Sequence, residues 1–173
     1  MGGDSFMNPQ ALMRLSGLAA LLGGALRIAS ALPLPISAVA QEALWDTIDV
    51  LLTLGFIGVY LARAGKLGFL GLAGFACAMA ALSFIGGPDA DPFGFSTYEQ
   101  GAAVLAISLV GFSIAWLRAG EHPILPPLCW FASVIAAGAL GTAPAPLPDY
   151  GFMAAGALFG AGFASAGWDL LRR

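Results

Sequence analysis

The sequence predicts an all-α protein, a polytopic transmembrane bundle of about six helices. Three observations carry that expectation. Of 173 residues, 59% are hydrophobic and only 10% charged, with a mean hydropathy of +0.86, whereas a soluble domain carries about 25% charged residues to wet its surface. Six apolar stretches each run about 18 to 21 residues, the length that crosses a hydrocarbon core of about 30 Å as a helix. Clusters of Gly and Pro punctuate the chain between them.

The stretches are Leu12–Leu32, Ala43–Leu61, Leu67–Ile85, Gln100–Leu117, Ile124–Gly141 and Tyr150–Trp168. In lipid the backbone has to satisfy its own hydrogen bonds, so isolated apolar spans read as helices rather than strands. The breakers are Pro33 and Pro35, Gly65 and Lys66, Gly86 to Pro88, Gly120 to Pro123, and Pro144, Pro146 and Pro148. Pro126 and Pro127 fall in the first turn of the fifth span, where proline is tolerated. The chain reads as one transmembrane domain over residues 1–173, with residues 1–11 as a short cytoplasmic leader.

The first span resembles a secretory signal in one respect, since Ser37-Ala38-Val39-Ala40 has a small-x-small pattern after an apolar run. Arg27 interrupts that run and the run is long for a signal, so it reads as a true helix. The N-terminus does not fit the myristoylation pattern, because Phe6 stands where Ser or Thr is required.

With six spans, both termini and two turns share one side. That side holds Arg14, Arg63, Lys66, Arg118, Arg172 and Arg173, six of the seven Lys and Arg residues. The other holds Glu42, Asp46, Asp49, Asp89, Asp91, Glu99 and Asp149, seven of the ten acids. The positive-inside rule puts the basic side, and both termini, in the cytoplasm of a bacterial-type inner membrane. Trp45, Tyr98 and Tyr150 at one rim and Tyr60, Trp116 and Trp168 at the other read as interfacial belts. A weak parallel hairpin repeat is also present. Gly55-Phe56-Ile57-Gly58 through Arg63-Ala64-Gly65 resembles Gly111-Phe112-Ser113-Ile114 through Arg118-Ala119-Gly120, relating spans 2–3 to spans 4–5.

Charge inside the spans is confined to Arg27 in the first and Asp46 with Asp49 in the second. Arg27 lies about 7.5 Å and Asp49 about 9 Å below the acidic rim, so their depths match. An unpaired arginine at such depth costs at least about 2.5–3.5 kcal/mol. Two readings follow. The three form a polar pocket for a small ion, a proton or a headgroup, or Arg27 pairs with Asp49 to fix the register of the first two helices.

Small residues recur at helical spacing, with Gly156, Gly160 and Gly162 in the sixth span and Gly68, Gly71 and Gly74 in the third. Such faces let helices approach closely, within one chain or against a lipid or partner. Asp89, Asp91, Phe93 and Phe95 form an acidic, aromatic loop lacking the ligand spacing of a calcium site.

The excluded classes are several. One histidine, His122, rules out bis-histidine haem ligation within the chain. Cys77 and Cys129 sit in apolar stretches with no metal-ligand spacing, so no metal site is expected. No nucleophile accompanies the aspartates, and no basic run points to nucleic acid. The expected protein is a non-catalytic accessory or scaffold subunit, or a binder of a lipid-like molecule. Its expected partners are membrane lipids and further membrane subunits or a second copy, and no cofactor is expected beyond a bound hydrophobic ligand. The alternative is a small transporter or proton-coupled permease working through Arg27, Asp46 and Asp49.

Overall fold

Six helices follow one another in the computed structural model, which describes residues 8–85, 94 and 96–173. They are α1 (Pro9–Ser30), α2 (Ala38–Leu61), α3 (Ala64–Ile85), α4 (Thr97–Arg118), α5 (Leu125–Gly141) and α6 (Leu147–Leu171). No strand occurs among the described residues. Residues Asp89, Asp91, Phe93 and Phe95 of the acidic loop lie outside them, as do residues 1–7.

Local chemistry sets where the helices start and stop. Asn8, Ser37 and Ser96 cap α1, α2 and α4, each accepting from a backbone N–H in the first turn. The Ser37 cap starts α2 five residues before the apolar run predicts. The turn carrying Gln41 and Glu42 is therefore helical and exposed. The sixth helix likewise runs past Trp168 to Leu171, which brings Asp169 onto it. Gly120 (φ +66°) ends α4 in the left-handed conformation that glycine adopts without strain. Its N–H bonds to the carbonyl of Leu117 and the Glu121 N–H to that of Trp116, the paired closure of a helix C-terminus. Gly68 (φ +61°) breaks α3 near its beginning, so Ala64–Leu67 is a separate first turn.

The helices close into a ring in chain order. Most of the packing joins α1 to α6, α3 to α4, α5 to α6 and α1 to α2, while α2 and α3 touch only lightly. The α2–α3 connection is thus a loose seam rather than a packed hairpin. Yet the two phenylalanines of the sequence repeat, Phe56 and Phe112, meet in the core with ring centroids 4.9 Å apart.

Glycines set the tightest contacts. A Cβ on Gly160 of α6 would stand 2.5 Å from the Gly24 carbonyl of α1, and one on Gly167 2.5 Å from that of Gly17. Gly74 meets the α4 backbone at Ser108 and Phe112, Gly156 meets Arg27, and Gly162 meets Trp130. These small-residue faces are turned toward helices of the same chain. Gly71 faces Leu67 of its own helix, and Gly68 faces open space.

The centre is aromatic. Phe56, Phe112, Trp116, Trp130 and Phe163 are fully buried and interlock edge-to-face, with Phe75 and Phe159 packed around them. Tyr60 stacks on Phe75 at 4.2 Å. Trp116, read from sequence as an interfacial residue, belongs to this core instead. Its indole N–H donates to the Glu121 carbonyl at 3.0 Å, which satisfies the one polar atom that would otherwise seek the interface. Trp45, Tyr98, Tyr150 and Trp168 are exposed.

Four helices, α1 to α4, are long and apolar enough to cross a membrane. At 17 residues α5 is shorter, and α6 is long enough but five of its residues are glycine. Large apolar side chains such as Leu15, Leu22, Val50, Leu54, Phe69, Ile107 and Ile135 cover much of the exterior. Such a surface is compatible with a membrane protein, since soluble proteins rarely expose contiguous apolar area on this scale.

Candidate functional site

The sequence directs attention to Arg27, Asp46 and Asp49. Arg27 extends the α1 stripe Ser16, Ala20 and Gly23, whose members pack on Gly58, Gly55 and Leu51–Leu52 of α2. Its guanidinium nonetheless reaches α6, where a Cβ on Gly156 would lie 3.3 Å from Nη2. Nη1 donates to Ser30 Oγ at 3.3 Å, and that hydroxyl donates to the Arg27 carbonyl at 3.1 Å. Three ion pairs exist among the described residues, and none includes Arg27.

The expected Arg27–Asp49 ion pair is therefore absent, for a geometric reason. The α2 face toward α1 is marked by Leu51, Leu52, Gly55 and Gly58. Asp49 precedes Gly55, near the middle of that face, by six positions, about 120° around the helix, so it is turned aside from α1 toward the α2–α3 seam. Asp46 is exposed and lies one helical turn before Asp49 on the same side of α2.

Two recesses lie at this acidic end. One, of about 440 Å³, is lined by Ser30 to Leu34, Gln41, Leu44, Trp45 and Met153. It sits directly above the Arg27–Ser30 pair, where α1 ends and α2 begins. The other, of about 300 Å³, opens at the loose α2–α3 seam between Asp49, Val50, Thr53 and Leu54 on one side and Leu82 and Ser83 on the other. Asp49 is half-buried there and, among the described residues, accepts no hydrogen bond.

The basic end is built in the opposite manner. Arg63 fills the two-residue connection from α2 to α3, and its side chain is wholly buried. It forms an ion pair with Asp169 of α6, lies over the Trp116 ring of α4 at 3.8 Å, and donates to the Val59 carbonyl at 3.4 Å. Asp169 also accepts from Arg173 at 3.0 Å. Burial first, and Arg173 next, push the Arg63 pKa down to about 10 against the pull of Asp169, which leaves it charged at neutral pH. Lys66 pairs with Glu121 at 2.6 Å, and the Glu121 carboxyl is held below its ordinary value chiefly by that hydrogen bond. One network thus ties the α2–α3 turn, the α4–α5 turn and the C-terminal end of α6.

Sequence reasoning places Arg63 and Trp116 at a charged turn and a wet rim. The signal for their burial is faint: Asp169 stands one residue beyond the last apolar span, and an acid on the basic side calls for a partner. His122 is exposed, and no group of three His, Cys, Asp or Glu residues that could hold a metal occurs among the described residues. Cys77 and Cys129 are free thiols. No family model, curated protein or solved structure matches this chain.

Proposed function

We propose that this chain is a multi-pass inner-membrane protein. All six helices cross the membrane, and both termini are cytoplasmic. It acts without catalysis, as an accessory component that binds a lipid-like amphiphile at its outer-leaflet end. The observation that carries the reading is an asymmetry along the bundle axis. The half near the basic end is filled by interlocked aromatics and tied together by ion pairs, while the two recesses described above lie from the acidic end to the middle of α2. The larger has the mixed character that a headgroup and the start of its chain require, with Ser30, Gln41 and Trp45 beside Leu32, Leu34 and Met153.

The crossing of α5 and α6 is supported by the charge pattern. Six crossings put the basic residues together on the cytoplasmic side, and 17 residues is the lower bound for a span. Native mass spectrometry of the protein released from mild detergent tests the binding. A discrete amphiphile adduct, diminished by Gln41→Trp, which fills the larger recess, is the expected result. A chain that is bare at every collision energy contradicts it.

A second reading, a proton-coupled permease using Arg27, Asp46 and Asp49, is favoured by the half-buried Asp49 and its lack of a hydrogen-bond donor. It requires a path through Phe56, Phe112, Trp130 and Phe163, each at most 1% exposed. Proton uptake into vesicles that Asp49→Asn abolishes is the result that would select it.

A further inference from the structure

We propose that the recess at the α2–α3 seam is a binding site for a primary alkylammonium, with Asp49 as its counter-ion. The inference rests on the membrane reading above but concerns a different recess.

Asp49 lies one helical turn beyond Trp45, about 6 Å deeper along α2. Trp45 is exposed at the level of an interfacial aromatic. A half-buried carboxylate at that depth, with no donor to satisfy it, carries a demand that lipid chains do not meet. Arg27, the nearest cation on the neighbouring helix, is committed to Ser30 and to the Gly156 surface of α6.

The recess supplies what an ammonium needs. An –NH₃⁺ group has three N–H donors and no acceptor. Three oxygen-bearing side chains line the space: the Asp49 carboxylate, the Thr53 hydroxyl and the Ser83 hydroxyl. Ser83 already gives its own proton to the Met79 carbonyl at 3.2 Å, so its oxygen is free to accept. The remaining lining, Val50, Leu54 and Leu82, is apolar, and Val50 and Leu54 are exposed toward the outside of the bundle. An alkyl chain would leave the site sideways along them. A hard metal cation is a poorer match, because calcium takes six to eight oxygens and only three side chains here carry any. A volume of about 300 Å³ holds a headgroup and the first methylenes, with the rest of the chain in lipid.

An alkylammonium reaches this depth from two sources, a free amphiphilic amine or the ethanolamine headgroup of a phospholipid. Both present the same donors, and one experiment separates them. The full-length protein is placed in phosphatidylcholine nanodiscs and treated with dicyclohexylcarbodiimide, an apolar reagent that converts a membrane carboxyl to a stable N-acylurea. Peptide mass spectrometry then reads total modification of Asp49, the N-acylurea together with any amide formed by capture of the activated carboxyl by the amine, and Asp49→Asn assigns the signal.

Dodecylamine should slow labelling about tenfold, the factor a 1.4 kcal/mol interaction gives. Dodecanol, equal in length but uncharged, should leave it nearly unchanged. Thr53→Val should weaken the protection while labelling persists. Protection in phosphatidylethanolamine nanodiscs without added amine assigns the lipid as the source, and protection by the free amine alone assigns the amine. Equal protection by dodecanol and dodecylamine, or none by either ammonium source, overturns the proposal. Extraction of the chain from native membranes by alkaline carbonate would instead overturn the membrane reading, so the two failures are distinguishable.

Discussion

Removing the Asp169 carboxylate with Asp169→Asn should be among the most damaging single changes available at the basic end. Arg63 is wholly buried, and Asp169 retains 22% side-chain exposure. Breaking a buried ion pair by deleting one partner costs about 3–5 kcal/mol, because the other charge is left without compensation. The lower figure applies here, since Arg63 keeps the Trp116 face and the Val59 carbonyl. The expected loss is therefore about 3 kcal/mol. Arg63→Met should cost less, about 1–2 kcal/mol, because it removes the cation–π contact but leaves Asp169 partly solvated and paired with Arg173. The double variant should cost about as much as Arg63→Met alone, because no orphaned charge remains. Reversible denaturation in mixed micelles, followed by tryptophan fluorescence, measures all three. Additive losses, or an Asp169→Asn cost below about 0.5 kcal/mol, would refute the claim that this pair is buried and coupled.

Further outcomes follow from the same structure. Gly160→Ala forces a methyl within 2.5 Å of the Gly24 carbonyl and should cost about 1–3 kcal/mol as α1 and α6 separate. Gly138→Ala has nothing within 4 Å and should be neutral or stabilise by up to about 1 kcal/mol, as read by the same denaturation assay. Phe56→Ala removes a ring touching four others and should cost about 3–5 kcal/mol. Glu121 has a depressed pKa in the folded state, so its contribution is complete above its ordinary value of 4.5 and is lost as pH falls through the lower folded value. The melting temperature should drop over that acid window in the native protein, and Lys66→Gln should flatten the drop.

The helix count, the helix class and the segregation of charge were legible because each is a long-range average over many residues. Composition and 18-residue apolar runs tolerate local ambiguity. The turn at Gly120 was legible for a different reason, since glycine after an arginine-ended helix marks a left-handed cap. The pairing of charges was not. Matching depths for Arg27 and Asp49 fix only one coordinate of three, and the azimuth of α2 sends Asp49 to the α3 seam instead. The burial of Arg63 escaped the sequence reading because positive residues at turns are ordinarily solvated, and nothing local to it reports the arrival of Asp169 from 106 residues away. Trp116 escaped because its hydrogen-bond partner is a backbone carbonyl five residues on, which allows an amphipathic ring to be buried. The loose α2–α3 seam is a property of ring closure, which no single span encodes.

Six crossings with the basic end cytoplasmic are tested most directly by single cysteines in a background lacking Cys77 and Cys129, placed at Leu34, His122 and Asp149. Intact cells are treated with a membrane-impermeant maleimide before and after lysis. Positions 34 and 149 should be labelled in intact cells and position 122 only after lysis. Labelling of 34 with protection of both 122 and 149 would mean that α5 and α6 do not cross. Labelling of 122 in intact cells would place the sealed, basic end outside and contradict the account.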